Sequence, residues 1–130
     1  LTGNSIRVPV ANVSMAILNL TLESAQSREA VNEYLREISL NSAMQRQVGY
    51  TISSEVVSTD FIGDRHAGVI DSHATIVDGR QVVLYVWYDN EFGYTCQVVR
   101  VAQKMAGIKY PVVPPQPASD SSKMSLVSTG

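Results

Sequence analysis

The chain has 130 residues, 45% of them hydrophobic and 17% charged, with a formal net charge of −2. That length fits one domain or part of one, and the charge balance gives no indication of nucleic-acid binding. The longest apolar run, residues 82–88, is too short to span a membrane, and the single cysteine, Cys96, cannot form an internal disulfide. This composition favours a reducing, cytoplasmic compartment.

The first half of the chain predicts a long strand and then an amphipathic helix. Residues 13–22 alternate, so that one face of the strand is apolar and the other is only partly polar. Ser27 is a good helix N-cap, and Glu29 in the first turn favours the helix dipole. Four apolar residues then follow at helical spacing, which is typical of a helix lying on a sheet: Val31, Tyr34, Leu35 and Ile38.

The second half predicts several strands and a closing helix. Residues 47–52 and 55–61 fit either strand or extended loop, whereas residues 67–70 and 74–77 predict strands. A tight turn at Asp78-Gly79 leads into residues 82–88, which are apolar on both faces and therefore need cover on both sides. The last helix should run from about Glu91 to Ala106 and stop before Gly107. It is apolar around most of its circumference, so we expect two surfaces to enclose it.

The C-terminal residues 108–130 differ from the rest of the chain. Four prolines, at positions 111, 114, 115 and 117, precede a serine-rich stretch. Proline lacks the backbone donor that a sheet needs, and the polar remainder cannot form a core. We therefore expect an extended, largely disordered tail after a folded part that spans residues 1–107.

Three segments together carry a family resemblance. These segments are Ser5-Ile6-Arg7-Val8-Pro9 with Asn12-Val13-Ser14, then Ser58-Thr59-Asp60-Phe61, then Trp87-Tyr88-Asp89-Asn90-Glu91-Phe92-Gly93-Tyr94. In this order and spacing the chain resembles the phosphorylating glyceraldehyde-3-phosphate dehydrogenases. The resemblance covers residues 1–107 and implies the C-terminal part of the catalytic domain. The implied fold is α+β, a mixed and mostly antiparallel sheet with helices on one face, incomplete because some strands belong upstream.

The resemblance implies that Arg7 binds phosphate, either that of glyceraldehyde 3-phosphate or the inorganic phosphate that attacks the acyl-enzyme. A guanidinium suits this role because its planar fork meets two phosphate oxygens and stays charged at any working pH. Residue type alone favours a strand arginine paired with a surface carboxylate, and the family resemblance reverses that preference.

The same resemblance implies that Asn90 holds the carboxamide of the nicotinamide ring. A side-chain amide has both a donor and an acceptor and can pair with another amide, which fixes how the ring faces the substrate. Local sequence also allows Asp89 or Asn90 simply to cap the helix. Tyr94, one turn further on, is a secondary candidate that either shields the ring or packs.

The family's cysteine nucleophile, histidine base and glycine-rich dinucleotide fingerprint do not occur between Leu1 and Gly130. We therefore expect no catalytic residue in this chain, and no activity or bound cofactor when the chain is alone. Because the chain also begins without methionine, we expect it to be a piece of a longer gene product. The intact protein would use NAD or NADP, which the sequence does not distinguish. Cys96 lies within the last helix, where a buried cysteine is usually inert.

His66 and His73 lie near several aspartates and so raise the question of a metal site. Their spacing fits no common zinc pattern, and strand alternation would separate the side chains. We expect no metal and interpret these carboxylates as loop and turn residues. The nearby aspartates are Asp60, Asp64, Asp71 and Asp78.

Two other functions remain open. The apolar strand 82–88 suggests a sheet face that drives association, and in the resembling family such faces pack together to form a tetramer. The chain could then be chiefly an oligomerisation module. A related enzyme that oxidises erythrose 4-phosphate is the other alternative. No partner of nucleic-acid or membrane type is expected.

Overall fold

The computed structural model describes residues 2–6 and 11–108. Within them the chain forms strands and helices in the order β1, β2, α1, β3, β4, β5, β6 and α2. The strands are β1 (Thr2–Ile6), β2 (Ser14–Thr21), β3 (Val48–Thr51), β4 (Gly68–Asp71), β5 (Ile76–Asp78) and β6 (Gln81–Tyr88); the helices are α1 (Arg28–Asn41) and α2 (Phe92–Met105).

All six strands join one sheet with the order β1-β2-β6-β4-β3, and β5 forms a hairpin with β6. The β3–β4 pair is parallel and the other pairs are antiparallel. The predicted α+β fold with a mixed, mostly antiparallel sheet is therefore confirmed. The long β2–β6 ladder runs from Ser14↔Tyr88 to Thr21↔Gln81 and forms the centre of the sheet.

Both helices start and stop close to where the sequence predicts. The Ser27 side chain accepts a hydrogen bond from the Ala30 amide at 3.1 Å, as expected for an N-cap. Gly107 has a φ of 70°, the left-handed conformation that ends α2. The prediction for Tyr34 was wrong, because this side chain is 59% exposed while the other three residues of the apolar stripe are partly buried.

Two segments differ from the sequence prediction, and in each an aspartate explains the difference. Residues 58–61 form a single 3-10 turn, in which Asp60 Oδ2 accepts from the Val57 amide at 2.8 Å. The strand predicted from residue 74 begins only at Ile76. Asp71 Oδ1 accepts from the amides of His73 and Ala74, so the chain turns before it can extend.

A small hydrophobic cluster lies beneath the end of the sheet where β2 begins and β6 stops. Val13, Phe61 and Val69 are buried there, and the Trp87 ring stacks on Phe61 with the ring centroids 5.4 Å apart. Helix α2 approaches this end through buried Gly93, where an added Cβ would come within 2.6 Å of the His66 carbonyl oxygen. The cluster therefore supports the loops that carry the candidate site.

Most of α2 contacts little within the described part of the chain. One line of its residues is exposed by about half or more: Tyr94, Val98, Val101 and Met105. Spacings of four, three and four residues put these on one helical face. The expectation that α2 needs a second covering surface is consistent with this exposure. The expected tail, apart from Ile108, lies outside the described residues.

Candidate functional site

The carboxylate of Asp89 organises the junction between β6 and α2. Its Oδ1 accepts from the amides of Glu91 and Phe92, both at 2.9 Å, and its Oδ2 accepts from the Gly63 amide at 3.0 Å and from Asn12 Nδ2 at 3.2 Å. The residue is only 3% exposed. Burial raises the pKa of Asp89, but these hydrogen bonds together outweigh it and leave the pKa below its usual value.

These contacts decide between the two capping alternatives left open by the sequence. Asp89, and not Asn90, supplies the acceptors for the first free amides of α2. The side chain of Asn90 is therefore not used by the helix and lies exposed at the junction. Its Nδ2 donates to the hydroxyl of Ser14 at 3.3 Å.

Ser14 follows a strained turn. Val13 has a φ of 76°, in the left-handed region that a β-branched residue rarely adopts. Such a conformation costs about 1–3 kcal/mol and persists only where the surroundings enforce it. Here the Val13 side chain is buried, its amide donates to Asn12 Oδ1 at 2.7 Å, and Asn12 is itself bonded to Asp89. Backbone strain of this kind clusters at functional sites.

The structure describes two of the three predicted site residues. Asn90 lies just before the start of α2, and Tyr94 lies about one turn further along and is 69% exposed. Arg7 lies outside the described residues. The residue before it, Ile6, pairs with Met15, and Ser14 pairs with Tyr88. The end of β1, the start of β2 and the end of β6 therefore lie together at one end of the sheet.

An open groove of about 960 Å³ lies along another side of α2 and does not include Asn90. Cys96 lines it and is half-buried, so the expectation of a buried cysteine was wrong. The groove also contains three arginines and a histidine: Arg46, Arg65, Arg100 and His66. Burial, with the nearby charge of Arg46, lowers the pKa of Arg100, while Cys96 acts in the opposite direction.

The two histidines do not share a site, because their rings bond to different partners. His66 Nδ1 lies 2.7 Å from Asp64 Oδ1, and His73 Nε2 lies 2.7 Å from the Ile52 carbonyl oxygen. Asp60, Asp64 and Asp71 all accept backbone amides in turns, as the sequence suggested, while Asp78 ends β5. Within residues 2–6 and 11–108, no three His, Cys, Asp or Glu side chains are grouped so that they could hold a metal ion.

Sequence reasoning missed the roles of Asn12 and Ser14. Both belong to the Asn12-Val13-Ser14 segment that contributed to the resemblance, but 77 and 76 residues separate them from their partners Asp89 and Asn90. Only the β2–β6 pairing brings them together. In the sequence, the one local signal for this turn is that two polar residues, Asn12 and Ser14, flank Val13.

Comparison with known proteins identifies the family to which this arrangement belongs. Residues 1–90 match the family described as glyceraldehyde 3-phosphate dehydrogenase, C-terminal domain. A glyceraldehyde-3-phosphate dehydrogenase-like protein of Pseudomonas aeruginosa (strain UCBPP-PA14) is 63% identical over 114 residues, which is 88% of this chain and 25% of that protein. A glyceraldehyde-3-phosphate dehydrogenase of Atriplex nummularia is 40% identical over 107 residues, 82% of this chain and 29% of that protein.

A further relative, the cytosolic glyceraldehyde-3-phosphate dehydrogenase of Antirrhinum majus, is 38% identical over 110 residues, 84% of this chain and 32% of that protein. The chain belongs to the glyceraldehyde-3-phosphate dehydrogenase family, a family of oxidoreductases. It spans between a quarter and a third of the length of these relatives. In the part of the chain that the structure describes, neither helix has the length and apolar character needed to cross a bilayer.

Proposed function

We propose that the chain is the C-terminal part of the catalytic domain of a phosphorylating, NAD- or NADP-dependent glyceraldehyde-3-phosphate dehydrogenase that acts in the cytoplasm. In this role Asn90 binds the nicotinamide carboxamide, Arg7 binds phosphate, and Tyr94 borders the cofactor. The main support for the proposal is that Asp89 and Asn90 have different contacts at the β6–α2 junction. Asp89 accepts the amides at the start of α2, and the Asn90 amide therefore remains exposed and can bind a ligand.

The strand order supports the proposal that Arg7 and Asn90 serve one pocket. Strand β2 lies between β1 and β6, and neighbouring strands are about 4.8 Å apart. The ends of β1 and β6 are therefore separated by about 10 Å. A small phosphorylated aldehyde fits this interval, with its phosphate towards the arginine and its reacting carbon towards the nicotinamide. Holding the reactants in this way accelerates both hydride transfer and attack by phosphate.

The intact reaction needs groups that this chain lacks. Cys96 lines a groove that does not include Asn90, and the rings of His66 and His73 bond to Asp64 and to the Ile52 carbonyl oxygen. In the intact enzyme an upstream thiol would form the acyl intermediate and an upstream domain would bind the dinucleotide. The role of this chain is to bind phosphate and the nicotinamide ring and to orient them for the reaction.

The assay that tests this function compares the 130-residue chain with the full polypeptide encoded by its gene. With NAD, glyceraldehyde 3-phosphate and phosphate, the full polypeptide should form NADH and the chain alone should form none. NADP and erythrose 4-phosphate serve as the alternative cofactor and substrate. A measurable rate from the chain alone, or a full polypeptide inactive with every combination, would contradict the proposal.

A second function, association through the sheet face, is favoured by the partial exposure of β2. Strand β2 pairs with β1 on one side and β6 on the other, yet none of its residues is fully buried. We expect copies to associate through this face, because leaving a largely apolar sheet face in water is unfavourable. Light scattering should therefore give a mass above 14.2 kDa for the chain in solution. A stable monomer at high concentration would count against association.

A further inference from the structure

We propose that Ser14 is a positioning residue that fixes the orientation of the Asn90 carboxamide, so that its oxygen is presented to the nicotinamide. This inference rests on the proposed cofactor role of Asn90. Ser14 itself has no part in the proposed function.

The geometry of the amide supports this assignment. Asn90 Nδ2 donates to Ser14 Oγ at 3.3 Å, and the side chain is otherwise exposed. Because the amide group is planar, a bond that holds Nδ2 directs Oδ1 to the opposite side of Cγ. That oxygen can accept an N–H from the carboxamide of nicotinamide. Without the hydroxyl, the Asn90 amide would lose the hydrogen bond that holds it in the observed orientation, and the opposite orientation would set two NH₂ groups against each other.

Ser14 is itself held in place by its neighbours. It begins β2 and pairs with Tyr88 at the end of β6, two residues before Asn90. The residue before it, Val13, is fixed by its buried side chain and by the Asn12 hydrogen bond. Asn12 in turn donates to Asp89, the residue adjacent to Asn90. Two hydrogen bonds thus join the same pair of segments and hold the backbone of Ser14 next to the loop that carries Asn90.

A positioning role and a purely structural role predict different binding behaviour. If the Ser14–Asn90 bond only joined two strand ends, its loss would affect all dinucleotide ligands alike. If it orients the amide, its loss would affect only ligands with a nicotinamide ring. NAD and ADP-ribose differ in this ring and share the rest of the molecule, so their dissociation constants separate the two roles.

The test measures Kd for NAD and for ADP-ribose with the intact dehydrogenase. Ser14→Ala should raise Kd for NAD about threefold to tenfold, the effect of one neutral hydrogen bond, and leave Kd for ADP-ribose unchanged. Ser14→Thr and Ser14→Val form a matched pair of nearly equal shape that differs in the hydroxyl. Threonine should retain NAD binding and valine should weaken it. In an Asn90→Ala background, Ser14→Ala should have no further effect.

Each outcome bears on one of the two claims. Equal weakening of both ligands by Ser14→Ala, or threonine and valine variants with the same Kd for NAD, would overturn the positioning role. If Asn90→Ala weakens NAD selectively while Ser14→Ala changes nothing, the inference fails and the cofactor role of Asn90 stands. If Asn90→Ala does not discriminate between NAD and ADP-ribose, the cofactor role itself fails. Thermal unfolding of every variant shows whether a loss of binding reflects a loss of folding.

Discussion

Replacing Asp89 by alanine should lower the free energy of unfolding by about 2–4 kcal/mol, because the change removes a buried, charged acceptor that several donors share. The carboxylate accepts four hydrogen bonds, from the amides of Gly63, Glu91 and Phe92 and from the side chain of Asn12. These donors come from three separate parts of the chain. Their loss should release the start of α2 and the strained turn at Val13 together.

Urea-induced unfolding, followed by the fluorescence of Trp87, measures this effect in the 130-residue chain. Trp87 is the single tryptophan and stacks on Phe61 within the cluster beneath the junction. Asp78→Ala is a suitable control, since Asp78 is an exposed aspartate at the end of β5 and should change stability by about 0.5 kcal/mol or less. Equal midpoints for the two variants would show that Asp89 does not organise the junction.

The contribution of Asp89 should also depend on pH in a defined direction. Because the pKa of Asp89 in the folded chain lies below its usual value, the folded state binds this proton less readily than the unfolded state. The resulting stability is fully present above the unfolded pKa of about 3.9 and is lost as the pH falls through the folded pKa. The stability difference between the chain and its Asp89→Ala variant should therefore shrink below about pH 4.

Replacing Arg7 by alanine in the intact enzyme should lower kcat/KM for glyceraldehyde 3-phosphate by about 10² to 10³, if Arg7 binds phosphate as proposed. Two charge-assisted hydrogen bonds to phosphate oxygens contribute about 3–4 kcal/mol together, and each 1.4 kcal/mol corresponds to a factor of ten. Arg7→Lys keeps the charge but not the planar fork, so its activity should lie between those of the alanine variant and the unchanged enzyme.

Steady-state kinetics with varied phosphate and varied aldehyde measures this effect and shows which phosphate Arg7 binds. Arg36→Ala is the matched control, because Arg36 pairs with Glu33 on the exposed side of α1. Its removal should leave kcat/KM unchanged within about twofold. An Arg7→Ala enzyme with unchanged kinetics would place the phosphate elsewhere, and Arg7 would then be the surface strand residue that the sequence also allows.

Much of the fold could be predicted from sequence because local signals and burial agree there. The Ser27 cap, the Gly107 stop and the alternation in β2 each have a local physical cause, and each element lies where it was expected. The predictions failed where side chains bond to nearby backbone. Asp60 and Asp71 turn the chain at residues that otherwise favour a strand.

The candidate site was predictable only in part, since its groups come from distant parts of the chain. The eight-residue segment ending at Tyr94 identified Asn90 by resemblance, but it did not show whether Asp89 or Asn90 caps α2. The second oxygen of Asp89 bonds to Gly63 and Asn12, which lie 26 and 77 residues away and are not visible from the local sequence. The positive φ of Val13 could not be predicted either, because a valine normally avoids this conformation and only long-range contacts enforce it.

A structure of the intact polypeptide with bound NAD would show whether Arg7 and Asn90 serve one pocket. We expect Asn90 Oδ1 to lie within hydrogen-bond distance, about 3 Å, of the carboxamide nitrogen of nicotinamide. The Arg7 guanidinium should open into the same cavity. A nicotinamide ring held by other residues, with the side chains of Arg7 and Asn90 directed to separate surfaces, would contradict this expectation.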